Sequence, residues 1–279
     1  MQSIISSRRV VAQRSKPKTR VEGLGTRNDT RLAYKPTLAR VKLNAMSLET
    51  KQKNRDTRKI SNEGNVMPRL RQIPRTEADA SVLPFYDALF GKDREPTTHP
   101  GTATGTPGNW WTVFAHVPDA LHHMVSGFEF YRSRNRKISP KLRELGQARA
   151  GFARGSQFVF SQHCKALRGA GFSEAQIQAI PHWAATDLFD ELERAVLAYT
   201  DDLVLQGGRV ADGTFAVLQA HLNEVQIIEL TYIVCTYEMH ATMTRALRLE
   251  WDDVDERITE VAVPEGEKRD IDFFKNLDK

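Results

Sequence analysis

Apolar residues recur at spacings of three and four from Trp110 onward, and this period most constrains what the chain can fold into. Leu121, Met124, Val125 and Phe128 form one such series. This spacing places side chains on one face of an α-helix, and no segment shows a convincing strand pattern of alternating apolar and polar residues. The sequence therefore predicts an all-α domain of about seven or eight helices.

Capping signals mark where several of these helices begin. A Ser, Asp or Asn followed three residues later by Gln or Glu satisfies backbone N–H groups that a helix start leaves without partners. The pairs in this chain are Ser173 with Gln176, Asp190 with Glu193, and Asn223 with Gln226, and Ser139 before Pro140 is a further start signal. The helix that begins near residue 223 is apolar on most faces, which predicts a central position. After Trp251 we expect an acidic, frayed end.

Charge divides the chain at about Met67. Residues 1–66 carry sixteen Lys and Arg against five Asp and Glu, a balance of +11, whereas residues 67–279 carry twenty-four against thirty, a balance of −6. The first segment has too few apolar residues to offset its ordering entropy, so we expect a disordered basic extension followed by a helical domain over residues 67–279. Since the domain is mildly acidic, we expect no nucleic-acid partner.

Three interpretations of the basic extension stay open. Its first twenty-one residues are rich in Arg and contain no acid, which is typical of a mitochondrial presequence. A polybasic arm could instead contact nucleic acid. The third interpretation is an upstream stretch included by too early a start codon, because Met67 is a natural beginning for a compact domain. We expect that deleting this segment leaves folding unchanged.

The remaining composition indicates a cytoplasmic-type protein. Cys164 and Cys235 are the two cysteines of the chain, so the sequence predicts neither a disulfide framework nor a Cys-x-x-Cys metal or redox pair. No run of eighteen apolar residues occurs, so we expect no membrane span. Residues 91–108 are rich in Gly, Pro and Thr and predict an irregular loop, long enough to act as a lid over a pocket.

Four segments resemble the carboxymuconolactone decarboxylase family, whose superfamily includes the AhpD-type alkylhydroperoxidases. The stretch from Ile138 to Leu145 is similar to the family's Leu-Ser-Pro-x-x-Arg-Glu segment, and the stretch from Phe158 to Ser173 resembles its Tyr-Glu-Trp-x-x-His segment. Residues 114–118 and 237–239 are similar to an upstream Leu-x-x-x-Pro and a later Tyr-Asn-Met. The resemblance spans about residues 67–251 and implies an AhpD-like bundle, a small-molecule substrate and no cofactor.

Two departures from the family pattern bear on the chemistry. The reacting cysteines of the peroxidases would fall at Ser156 and Val159, and neither residue contains sulfur. A two-cysteine peroxide cycle is therefore excluded. Decarboxylase-like members commonly have Glu at the position of Val159, so one carboxylate that the resemblance implies is also missing.

Glu144 and His163 are the candidate catalytic residues, because consecutive antiparallel helices could bring their side chains together. A histidine with a carboxylate partner can transfer protons near neutral pH. The alternative is a polar pair that only ties two helices, and spacing alone favours it, whereas the family resemblance favours catalysis.

Three further residues are candidates for substrate binding. Arg143 could bind a carboxylate or lie on the surface, His240 could hold a carboxylate or enolate oxygen, and Trp111 could cover a pocket or merely pack. Cys164 is more typical of a small buried residue than of a nucleophile, although a lone reactive thiol stays open.

A metal site is not predicted. His116, His122 and His123 are close in sequence, but adjacent histidines on a helix point in different directions.

These observations favour a cofactor-independent lyase acting on a small carboxylated lactone or unsaturated acid. The alternative is an AhpD-like thiol enzyme, or a non-catalytic, stress-associated binding protein. Because the predicted central helix is apolar on nearly all faces, we also expect a homo-oligomer.

Overall fold

The computed structural model describes residues 67–255 and 257–262, and within these residues the fold is all-α. Nine α-helices follow one another without a strand in this part of the chain, so the predicted fold class is confirmed. The helical pattern that begins at Trp110 divides into two helices before and after residues 115–117, which accounts for the slightly lower predicted number. The helices are α1 Leu83–Phe90, α2 Asn109–Phe114, α3 Pro118–Arg132, α4 Pro140–Ala153, α5 Gln157–Gly169, α6 Glu174–Ala179, α7 Glu191–Val204, α8 Asp212–His221 and α9 Glu224–Leu247. The expectation for residues 1–66 lies outside the described residues.

The predicted capping signals are present at the helix starts. Both hydrogen bonds of the capping box form at the beginnings of α6, α7 and α9, where the capping residues are Ser173, Asp190 and Asn223. The hydroxyl of Ser139 accepts a hydrogen bond from the N–H of Leu142 and begins α4. Short polar sequence signals therefore define where these four helices begin.

Helix α4 lies at the middle of the domain and packs against α5, α7 and α9. Two glycines permit this close packing. A Cβ atom on Gly146 would lie 2.8 Å from Cγ2 of Val234 in α9, and one on Gly151 would lie 2.8 Å from the backbone nitrogen of Phe160 in α5. Any larger residue would push the helices apart at these points.

Two hydrophobic clusters make up the core. The first contains apolar residues of α4 to α9, and the second contains residues of α1 to α3 together with Ile73 and Leu249. Phe158 packs against both clusters. The cavity described below contains residues of both clusters.

The prediction of a frayed end after Trp251 is wrong for the residues that the structure describes. Asp252 is 1% exposed, Arg168 forms an ion pair with Glu260 at 2.6 Å, and the N–H of Val261 donates to the hydroxyl of Ser161. Acidic residues here are structural because they meet donors on α5, a fact that composition does not reveal.

One face of helix α9 is buried in the core, and the opposite face is exposed to solvent. Ile233 and Val234 are fully buried, whereas Ile228 is 68% exposed. The apolar residues of its exposed face recur at spacings of three and four, and they are Val225, Ile228, Tyr232, Cys235 and Met239. Some apolar residues of this helix thus pack in the core, and the others form an apolar stripe on the surface.

Among the described residues, no helix is both long and apolar enough to cross a membrane.

Replacing Gly151 with Ala should destabilise the domain, because the new methyl group would lie 2.7 Å from Cγ1 of Val159 and 2.8 Å from backbone of α5. We expect the free energy of unfolding in urea to fall by about 1–3 kcal/mol. Gly169→Ala is the matched control, since no atom lies within 4 Å of a Cβ there, and it should be neutral or stabilising by up to about 1 kcal/mol. Equal stabilities of the two variants would contradict the conclusion that α4 and α5 are too close at Gly151 to accommodate a side chain.

Candidate active site

The two candidate catalytic residues meet in the interior. Glu144 on α4 and His163 on α5 are 6% and 5% exposed, and Nδ1 of His163 lies 2.6 Å from Oε2 of Glu144. Because an ionised carboxylate only accepts hydrogen bonds, Nδ1 carries the proton and donates to Glu144. Nε2 is then the ring atom of His163 that remains for proton exchange.

Arg143 lies beside this pair. Its Nε–H donates to Oε1 of Glu144 at 3.2 Å, and its guanidinium lies 5.6 Å from the ring centre of Tyr131. The side chain of Arg143 is 14% exposed, so it belongs to the site rather than to the open surface. With Nε engaged, the two Nη groups are the donors that could bind an acid.

The ionisation of Glu144 follows from these neighbours. Burial acts to raise its pKa, but the hydrogen bond and charge of His163, together with Arg143, outweigh burial and hold the pKa below its ordinary value. Glu144 is therefore a carboxylate at neutral pH and stabilises positive charge on His163. Such a pair can hold a proton ready for transfer.

A cavity of about 590 Å³ opens beside the Glu144–His163 pair. Six aromatic side chains line it, and they belong to Phe85, Trp111, Phe128, Tyr131, Phe158 and Tyr237. Arg143 and His240 also line it. The structure thus brings every residue of the predicted site except Cys164 to one cavity. Its volume suits a small molecule with one or two rings.

His240 lies in an aromatic part of the cavity wall and is 4% exposed. Its ring centre is 5.4 Å from that of Trp110 and 5.4 Å from that of Phe128. Burial, followed by the charge of His163, lowers the pKa of His240 to about 3, so its imidazole is neutral at pH 7. His240 therefore cannot supply a positive charge to a carboxylate.

The two positions that depart from the family pattern have structural roles. Ser156 begins α5, accepting from the N–H of Val159 and donating its hydroxyl to Asp252 at 2.6 Å. Val159 is 1% exposed, lines the cavity and packs on Gly151. The wall is apolar where the resemblance implied a carboxylate.

Cys164 is fully buried in the core between helices and is not among the cavity residues. Burial raises the pKa of its thiol far above the ordinary value. A protonated, enclosed thiol is a poor nucleophile, so the structure favours the interpretation of Cys164 as a small core residue.

His116, which follows α2, and His122 on α3 each lie within hydrogen-bond distance of a backbone carbonyl oxygen. Nε2 of His116 lies 2.9 Å from the carbonyl oxygen of Arg71, and Nε2 of His122 lies 3.1 Å from that of Ser81. In the part of the chain that the structure describes, no group of three His, Cys, Asp or Glu residues is placed to share a metal ion.

The loop of residues 91–108, predicted as irregular, contributes Thr104 and Thr106 to the cavity wall. Fully buried Glu250 holds its end, accepting from the N–H groups of Gly108 at 2.9 Å and Trp110 at 2.7 Å. This contact joins residues 140 positions apart in sequence. Sequence reasoning missed Glu250, because an acid near a chain end resembles a surface residue.

Several cavity residues were also missed by sequence reasoning. Phe128, Tyr131, Phe158 and Gln162 line the cavity. The first three follow the helical apolar spacing, but periodicity does not distinguish a core residue from a cavity wall. The signal for Gln162 was its position next to His163.

Comparison with known proteins connects this site to a family. Residues 118–202 match the model of the carboxymuconolactone decarboxylase family, a segment that includes Arg143, Glu144 and His163. The resemblance inferred from the sequence motifs is thereby confirmed over these residues. No curated protein matches the chain.

Three solved structures are similar to the chain. A protein of unknown function from Agrobacterium tumefaciens, whose description relates it to the antioxidant defence protein AhpD, has a TM-score of 0.46 and 22% identity over 49% of this chain and 93% of its own. The debrominase Bmp8 in its apo form has a TM-score of 0.48 and 16% identity over 74% and 97%. An uncharacterised peroxidase-related protein with an alkylhydroperoxidase AhpD core, from Ralstonia eutropha JMP134, has a TM-score of 0.46 and 14% identity over 50% and 74%.

The stability of the folded protein should depend on pH through Glu250. Burial raises the pKa of Glu250 from 4.5 to about 7, so between these values the folded protein retains a proton that the unfolded chain has lost. The favourable contribution of protonated Glu250 to the free energy of unfolding is fully present below pH 4.5. It is lost as the pH rises through 7, and the free energy of unfolding changes by an amount on the order of 3 kcal/mol.

Urea unfolding from pH 5 to 8 tests this dependence by comparison with Glu250→Gln, which removes the ionisable group. The stability difference between the wild type and the variant should shift steadily in the variant's favour as the pH rises. Glu129→Gln, a change at an exposed residue of α3, is the control and should follow the wild type. If the free energy of unfolding changed with pH in the same way for the wild type and Glu250→Gln, the raised pKa of Glu250 would be refuted.

Proposed function

We propose that this chain, which matches the carboxymuconolactone decarboxylase family over residues 118–202, is a cofactor-independent lyase acting on a small carboxylated lactone or a related unsaturated acid. The observation that carries the proposal is the buried hydrogen bond of 2.6 Å between Glu144 and His163 beside an aromatic cavity. An isolated polar tie between helices would not need a cavity, whereas a proton-transfer pair needs access to a substrate.

The reaction requires a proton donor and a means of holding negative charge. Loss of carbon dioxide from such an acid leaves a dienolate, which must be protonated on carbon. In the proposal, His163 donates this proton through Nε2, and Glu144 orients the ring through Nδ1 and stabilises its protonated form. His163 then regains a proton from water.

Arg143 is the proposed anchor for the substrate's carboxylate. It is the residue of the predicted site with a permanent positive charge, and a planar guanidinium matches the geometry of a carboxylate. The sequence also made His240 a candidate for binding the carboxylate. Because the imidazole of His240 is neutral, Arg143 is the better partner for a negative charge. Trp111 and Phe128 would then pack on the apolar part of the substrate.

The alternative function as a thiol enzyme has little support. It would depend on Cys164, which is enclosed in the core and has a raised pKa. Loss of turnover in Cys164→Ser would nevertheless favour it. A non-catalytic binding protein is the second alternative, and absence of turnover by the wild type would favour it.

We also propose that the protein is a homo-oligomer in the cytoplasm. The apolar stripe on α9, defined above by Val225, Ile228, Tyr232, Cys235 and Met239, has the spacing of three and four by which two helices pack along a shared seam. A second copy supplies an identical stripe, and most oligomers of identical chains pair equal surfaces about a two-fold axis.

The His163→Ala variant should lose about 10²- to 10⁴-fold in turnover of a carboxylated γ-lactone, as expected for removal of a general acid. The matched control is His221→Ala, because His221 also contacts a glutamate, Glu191 at 3.0 Å, but on the exposed surface. Turnover is measured as release of carbon dioxide, with circular dichroism to check folding. Unchanged turnover in His163→Ala, or no turnover by the wild type on any such lactone, would favour the non-catalytic alternative.

A charge in the stripe on α9 should disrupt self-association. Ile228→Glu places a carboxylate at a residue that is 68% exposed, so folding is retained while burial against a partner becomes costly. Light scattering at micromolar concentration should show a smaller mass than for the wild type. Leu205→Glu, at a residue 50% exposed outside the stripe, should retain the mass of the wild type. A wild-type monomer would end this proposal.

A further inference from the structure

The imidazole of His240 makes no hydrogen bond to any described residue. Both ring nitrogens are buried and have no partner, although His240 lines the cavity. Buried polar atoms in folded proteins almost always have partners, and an exception requires an explanation. A ligand in the cavity that hydrogen-bonds to His240 provides one.

The surroundings of His240 restrict the chemistry of that ligand group. Its ring lies among those of Trp110, Phe128, Phe158 and Tyr237, with centres 5.4 to 5.8 Å away. A neutral imidazole offers one N–H donor and one acceptor nitrogen. An anion placed against these rings would lose its hydration without a charged group in hydrogen-bond contact, whereas a hydroxyl or carbonyl group would gain a hydrogen bond.

The charged groups of the site surround His163, which shares Tyr237 as a ring neighbour with His240. The ring of Tyr237 is 4.4 Å from that of His163 and 5.7 Å from that of His240, measured between centres. Arg143 and Glu144 accompany His163. The cavity therefore has charged groups beside His163 and uncharged rings around His240, and the two histidines are close enough for one substituted ring to reach both.

We infer that His240 is the subsite for a neutral hydroxyl or carbonyl group, at the far end of a flat monoanionic ring whose carboxylate faces Arg143. This inference rests on the proposed function in using the same cavity, and it narrows the substrate class. It excludes a dicarboxylate with its second acid at the distal position. It also gives His240 a direct contact with the substrate.

The subsite has a role in the proposed decarboxylation. The bond between a tetrahedral ring carbon and the carboxyl group breaks, carbon dioxide leaves, and the electron pair moves through the adjoining conjugated double bond to the distal carbonyl oxygen. The N–H of His240 donates to that oxygen as negative charge develops. His163 then gives a proton to ring carbon, the electron pair returns from oxygen, and water restores the proton to His163.

Three stable probes test the subsite without requiring turnover. Benzoate has no distal group, 4-hydroxybenzoate has a neutral hydroxyl group, and terephthalate has a second carboxylate. Calorimetric titration of the full chain should give a dissociation constant for 4-hydroxybenzoate at least about tenfold below that for benzoate, with terephthalate weakest. The difference follows because only the hydroxyl group satisfies His240 without burying a charge.

Two variants separate hydrogen bonding from shape. His240→Phe keeps a flat ring without polar atoms and should remove the preference for 4-hydroxybenzoate over benzoate. His240→Asn keeps a neutral donor and acceptor and should retain part of the preference. Melting temperatures check that each variant is folded.

The outcomes distinguish this inference from the proposed function. Equal affinities of the wild type for benzoate and 4-hydroxybenzoate, tightest binding of terephthalate, or no binding of any probe would overturn the subsite even if lyase turnover is found. The expected ranking in a protein without lyase turnover would instead support the subsite and reject the proposed function. Since the wild-type ranking decides by itself, a variant that fails to fold does not prevent the test.

Discussion

The close packing of α4 on α5 is the contact on which the site depends. At Gly151 the backbone of α5 lies so near that a Cβ atom would be 2.8 Å from the nitrogen of Phe160. This approach fixes the relative position of the two helices, and the hydrogen bond of 2.6 Å between Glu144 and His163 forms only in that register. A position without a side chain therefore controls the geometry of two residues that it does not touch.

The chemistry of the cavity comes from different local environments for similar groups. His163 has a carboxylate partner, whereas His240 has aromatic neighbours and a pKa lowered to about 3. Glu144 has a lowered pKa beside His163 and Arg143, whereas burial raises that of Glu250 to about 7. The two glutamates thus have pKa values shifted in opposite directions within one small domain, and such divergent environments are typical of sites that move protons.

The sequence predicts the fold well because its signals are local. Capping residues such as Asn223 act within one helical turn, so their hydrogen bonds can be anticipated without knowledge of the tertiary structure. Glu144 and His163 were predicted from a motif in consecutive helices, which is again nearly local. The aromatic wall was not predicted, because periodicity shows that Phe128 shares a helix face with other apolar residues but not what that face meets. Glu250 was missed because its partners are 140 positions away.

The segment after α9 connects the loop before Trp110 with the start of α5. Arg248 and Glu250 both have φ of 54°, a left-handed backbone that is unusual outside glycine. These turns deliver Glu250 to the loop before Trp110 and, two residues later, Asp252 to the start of α5. One inserted residue between the two acids would let only one of them reach its donors. The length of this segment is therefore constrained together with the identity of its two acids.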